Sequence, residues 1–101
     1  MKHINNDDWQ LFCRAILSLQ NEEDCRAFFE DICTIKEVQD ITQRLRVAAM
    51  LADKKNYQEI SAATGASTAT ICRVNKCLQY GEGYRTVLER ATSEEQGEQN
   101  A

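Results

Sequence analysis

A chain of 101 residues, 43% hydrophobic and 28% charged, has room for one ordinary globular domain, with a core that a second copy would enlarge. The start MKHINNDDWQ has no apolar run after its basic residues, and no segment approaches the ~20 apolar residues of a membrane span, so neither a leader nor an anchor is expected and the protein is placed in the cytoplasm. The net charge of −4 hides an asymmetry: −5 over residues 1–40, +4 over 41–90 and −3 over 91–101, so the middle of the chain is basic, as either a polyanion-binding surface or a solvated face would be.

In chain order, Asn6 is expected to cap a first helix with Asp7 and Asp8 in its first turn, and Trp9, Phe12, Cys13, Ile16 and Leu19 recur at helical spacing behind it. Asn21 caps a second helix, with Cys25, Phe28, Phe29 and Ile32 as its apolar stripe. Thr34-Ile35-Lys36-Glu37 has the form of a capping box and opens a long helix to about Lys54. On that helix Ile35, Val38, Ile41, Leu45, Ala48 and Ala52 make one stripe, and Val47 and Leu51 lie off it. A helix apolar on two sides is packed from two sides, which in a short chain suggests a second subunit. Tyr57 to Thr64 reads as a short helix, Gly65 as a break, and Ser67 as the cap of another helix to about Gln79. Gly81-Glu82-Gly83 separates a last helix with Tyr84, Val87 and Leu88, and residues 91–101 form an acidic, disordered tail after a helical domain of residues 1–90. No strand pattern occurs, and the fold class is all-α with five to six helices.

Residues 57–79 have the form of a helix-turn-helix: Gly65 suits a left-handed turn, Ser61 and Ala66 are small enough for close approach, and Ile71, Val74 and Leu78 anchor the second helix. Its outward residues are short, which lets a backbone lie deep in a DNA major groove. Ser67, Thr68, Ala69, Thr70 and Cys72 are the candidate base-facing residues, joined by Gln58 on the preceding helix. Arg44, Arg46, Lys54, Lys55, Arg73 and Lys76 are candidate phosphate contacts. Arg73 is also open to a salt bridge with an acidic neighbour or, less so, to a small ligand, and Lys54 and Lys55 to plain solvation. Catalysis has no set to rest on: the five cysteines form no Cys-x-x-Cys, His3 is the one histidine, and no phosphate loop or metal set is present, so neither enzyme activity nor a metal is expected. Cysteines here read as buried reduced thiols, Cys72 as a passive small residue rather than a redox switch, and Trp9 as a core residue between subunits.

With these motifs in place, residues 35–90 resemble the Trp repressor superfamily, and GASTATICRVNKCL, with FFEDICT before the long helix and YGEGY after the motif, is most similar to its YerC/YecD-type branch. The resemblance implies an intertwined homodimer that presents two recognition helices to double-stranded DNA, as a transcriptional regulator and repressor. It further implies a corepressor pocket in which Arg44 and Arg73 match the two arginines that hold an indole amino acid. Val74 stands where the repressor has glycine and Cys77 where it has serine, so the matching pocket (Arg44, Arg73, Val74, Cys77) is poorly suited to tryptophan, and no cofactor is expected. By helical geometry Thr70, Arg73, Val74 and Cys77 share the ligand flank, and Thr68, Ala69, Cys72 and Lys76 the DNA flank. Two other functions remain open: a protein-interaction dimer without base reading, and a small-molecule sensor.

Overall fold

The structure, a computed structural model, describes residues 2–100, with side chains through Ser93. Six helices follow one another: α1 (Asn6–Leu17), α2 (Glu22–Ile32), α3 (Ile35–Ala52), α4 (Tyr57–Thr64), α5 (Thr68–Tyr80) and α6 (Gly83–Asn100). No strand occurs among the described residues, and the all-α expectation holds at the upper end of its helix count. The expected acidic tail, residues 91–101, lies almost wholly outside the described side chains.

Side-chain caps set the helix starts. α1 begins one residue earlier than the Asn6 cap implied. The carboxamide oxygen of Asn5 accepts the Asp7 and Asp8 N–H groups at 2.8 and 3.3 Å, which makes Asn5 the cap and Asn6 the first helical residue. Asn21 accepts the Asp24 N–H at 2.8 Å, as expected. The capping box of α3 is formed on both sides: Thr34 N–H donates to Glu37 Oε1 at 2.8 Å and Glu37 N–H to Thr34 Oγ1 at 3.1 Å. Hydrogen bonds to the carboxylate from Thr34, the backbone N–H first and then the side chain, hold the Glu37 carboxyl below its ordinary value. A second box, absent from the sequence reading, opens α4 between Asn56 and Glu59.

α3 stops at Ala52, short of the expected Lys54. There the N–H of Lys54 bonds to the Leu51 carbonyl and that of Lys55 to the Met50 carbonyl, both at 3.0 Å, with Lys54 at φ +62°. This pair of bonds ends a helix in a Schellman turn, here with lysine rather than glycine in the left-handed position.

The chain divides into two compact units, residues 1–38 and 39–101. In the first, α1 and α2 bury no residue completely. The Trp9 and Phe12 rings lie 5.8 Å apart and Phe28 meets Phe29 edge-on at 5.5 Å, yet Leu11, Leu17 and Ile32 stay exposed. The second unit holds the core: Val47 and Ala48 from α3, Ile60 from α4, Ala66 from the turn, and Ile71 and Val74 from α5. Met50, Leu51, Tyr84 and Leu88 pack against it.

Which face of α3 is buried differs from the expectation. Val47, expected off the main stripe, is fully buried beside Ala48. Ile35, Ile41 and Leu45, the heart of that stripe, are 79%, 44% and 40% exposed. Positions 47, 48 and 51 share one helical face. α4 and α5 cover that face, and of the longer stripe Ile35, Ile41, Leu45 and Ala52 are left to solvent.

Candidate nucleic-acid interface

The site is built around the turn at Gly65. Gly65 adopts φ +73°, which glycine reaches without steric cost, and its N–H donates to the Ser61 carbonyl at 2.8 Å, closing α4. Ser61 itself is exposed, so its small side chain is not what brings the helices together. That contact is made by Ile60 and by Ala66, which is 3% exposed. Thr64 uses its hydroxyl twice, donating to the Ile60 carbonyl at 2.7 Å and accepting the Ala66 N–H at 3.1 Å. Gln43, on α3, donates its side-chain amide to the Thr64 carbonyl at 3.0 Å and fixes the turn from outside the motif. A tertiary bond of this kind leaves no local pattern in sequence.

Ser67 accepts the Thr70 N–H at 3.1 Å and caps α5. Ile71 and Val74 are buried and Leu78 half-buried, as the anchor spacing requires, so the opposite face of α5 turns outward. Ser67, Thr68, Ala69, Cys72, Arg73 and Lys76 are exposed there, and Thr70 is half-buried. Gln58 is exposed in the first turn of α4. Lys54 and Lys55 lie at the joint between α3 and α4, where the Lys55 ammonium stands 3.8 Å from Asp53, a loose surface pair worth little.

Tyr57, which the sequence reading passed over, joins this surface from the start of α4. Burial pushes its phenol above the usual value, a hydrogen bond to Cys72 and the charge of that thiol push it further, and Asn75 pulls it back. Cys72 and Asn75, both on α5, are thus neighbours of the Tyr57 phenol. Arg85 acts at the other end of α5, donating to the carbonyls of Leu78 at 2.9 Å and Gln79 at 2.7 Å. Those two bonds satisfy acceptors that the end of a helix otherwise leaves to water.

Arg44, Arg73, Val74 and Cys77 do come together, with Thr70 and Tyr84, around a cavity of about 130 Å³. That is less than half the ~300 Å³ at which pockets for drug-sized ligands begin. Val74 is 2% exposed and belongs to the core, which is why the space is small. A larger groove of about 790 Å³ runs beside it, lined by Ile41, Leu45, Tyr80 and Val87 with Arg44 and Lys76 among its walls. Lys76 thus reaches toward the groove as well as the outward face.

Among the described residues no helix is long and apolar enough to cross a membrane. The Trp repressor protein family matches residues 7–92. The uncharacterized protein YerC of Bacillus subtilis (strain 168) is 51% identical over 87 residues, covering 85% of this chain and 83% of that protein. A candidate Trp repressor from Staphylococcus aureus superposes with a TM-score of 0.83 at 42% identity, over 87% of this chain and 89% of that one. A TrpR-like protein from Eubacterium eligens ATCC 27750 gives 0.80 at 48% identity, over 87% and 91%. With a family match across most of its length, two superposable structures and the helix-turn-helix described above, the chain belongs to the Trp repressor family.

Proposed function

We propose that the protein is a cytoplasmic, sequence-specific DNA-binding regulator that represses transcription as a homodimer, with α5 in the major groove. One observation carries the reading. Behind the left-handed turn at Gly65, Ile71 and Val74 are sealed in the core while Thr68, Ala69 and Cys72 stand exposed on the first turns of α5. That is the arrangement by which such a helix offers its N-terminal residues to base edges. Lys54, Lys55 and Arg73 supply phosphate contacts. The surface is only modestly basic, so binding falls gently between low and moderate salt.

The second copy of the chain is the occupant of the groove on α3, α5 and α6. Ile41 and Leu45 lie in that groove beside Arg44 and Lys76, while residues 1–40 carry exposed Leu11, Leu17 and Ile32 together with a charge of −5. Apolar surface and charge therefore match between one copy's groove and the other's N-terminal helices. The dimer sets two α5 helices on one duplex about one turn apart.

Footprinting of the full-length protein on fragments of its own genome, including its own promoter, tests this. Two protected half-sites about one helical turn (~10 bp) apart are expected. A protein that favours no fragment over random competitor is not such a regulator.

The cavity between Arg44 and Arg73 supports a narrower second statement: repression does not depend on tryptophan. A ligand that binds only the folded protein must raise its melting temperature. Millimolar tryptophan is expected to leave it unchanged, and a clear rise refutes the statement.

A further inference from the structure

The reading end of α5 has little with which to read purines. Guanine is selected in the major groove by paired donors from Arg or Lys, and adenine by the amide of Asn or Gln, whereas thymine offers a C5 methyl group to apolar atoms. Of the two long cations on the outward half of α5, Arg73 lines the small cavity with Arg44, and Lys76 lines the groove. The Ser67 hydroxyl is engaged twice, accepting the Thr70 N–H and donating to Thr70 Oγ1, both at 3.1 Å. Arg73 and Lys76 are themselves exposed, but in the function proposed above Arg73 goes to phosphate and Lys76 borders the groove, so on the first turns of α5 the groups left to meet base edges are the methyl and hydroxyl of Thr68, the methyl of Ala69 and the thiol of Cys72.

Resting on the function proposed above, we infer that this protein recognises its operator through thymine methyl groups packed against Thr68, Ala69 and Cys72 rather than through paired hydrogen bonds to guanine. The half-sites are thymine-bearing where the start of α5 lies. Gln58, exposed in the first turn of α4, takes an adenine beside them. A thiol and two methyls also tolerate close approach of the backbone, so the loss of any one methyl on either partner is felt directly.

The test uses the full-length protein and duplex DNA selected from a random pool. In the selected duplex each half-site thymine is then replaced by uracil, which removes only the C5 methyl. At the contacted positions affinity is expected to fall about fourfold per replacement, the worth of one buried methyl group. In Ala69→Gly, with its helix content checked by circular dichroism, the penalty at one of those positions is expected to vanish, since the methyl's protein partner is gone. Selected half-sites that accept uracil everywhere at full affinity overturn the inference and leave the regulator intact; so do half-sites with guanine or cytosine throughout the contacted stretch. A pool from which no sequence is enriched overturns the proposed function, and this inference with it.

Discussion

Residues 1–38 and 39–101 are built from similar helices but stand on different footings. In the second unit Val47, Ile60 and Ile71 are fully buried, and the helix-turn-helix is anchored by them. In the first unit the aromatic side chains pair as Trp9–Phe12 and Phe28–Phe29 without sealing a core, and Leu17 remains 83% exposed. Secondary structure alone does not separate the two: α1 and α2 are as well capped as α4 and α5. What separates them is where their apolar surface goes. The helix-turn-helix keeps its own core within one chain, while the N-terminal helices leave Leu11, Leu17 and Ile32 exposed.

The largest expected effect bears on the buried side of that contrast. Ile71→Ala removes a fully buried side chain from the contact between α4 and α5 and is expected to cost about 2–5 kcal/mol in chemical denaturation. Leu45→Glu addresses the other side. At 40% exposure on a single chain, the change would normally lie within about 0.5 kcal/mol. If the groove seats a second copy, the same substitution weakens self-association tenfold or more, and the melting temperature of the parent rises with protein concentration while that of the variant does not. Analytical ultracentrifugation of the two proteins decides it: a Leu45→Glu protein that sediments like its parent removes the reason for treating the exposed stripe as an interface.

A smaller effect is expected at the turn. An added Cβ at Gly65 meets nothing within 4 Å, so the cost of Gly65→Ala is purely that of the left-handed backbone. Stability should fall by about 1 kcal/mol, read as a lower denaturation midpoint with an unchanged slope. A neutral result would mean that the turn relaxes without disturbing α5, and that the anchoring of the motif depends on Gln43 and Thr64 more than on the glycine.

The motif was legible in the sequence because its determinants are local. Gly65, Ser67 and the spacing of Ile71, Val74 and Leu78 each act within a turn or two of their own position. The same holds for the caps at Asn21 and Thr34. The misreadings share the opposite character. Asn5 and Asn6 are both competent caps, and only the reach of one carboxamide oxygen to two N–H groups chooses between them. On α3 two apolar faces are written into the sequence, and which one a chain buries depends on where α4 and α5 dock. Gln43 acts on Thr64, 21 residues away, so no short window of sequence contains both ends of that interaction, and Arg85, though only six and seven residues from its acceptors, reaches back across the break between α5 and α6. Of the candidate site, the Arg44, Arg73, Val74 and Cys77 group was traceable through the family resemblance; the small volume it encloses follows from Val74 belonging to the core.

The smallest expected effect tests whether the two units fold together despite their different interiors. The Glu37 carboxyl is held below its ordinary value of 4.5 by hydrogen bonds from Thr34, at the box that opens α3. A carboxyl whose pKa is lowered by folding contributes stability that is complete above its unfolded value and is lost as pH falls through its folded one. Glu37→Gln keeps a capping side chain of the same length without the charge. The variant is therefore expected to lose less stability than the parent as pH drops from about 5 to about 3. Trp9 is the one tryptophan in the chain and reports on the first unit, whereas far-ultraviolet circular dichroism reports on every helix. If the N-terminal helices depend on surface supplied by a second, folded copy, both signals move at the same pH in parent and variant, because neither unit can unfold without releasing the other. Trp9 fluorescence that changes while helix content holds would mean that α1 and α2 loosen on their own, and that the core around Val47, Ile60 and Ile71 outlasts them.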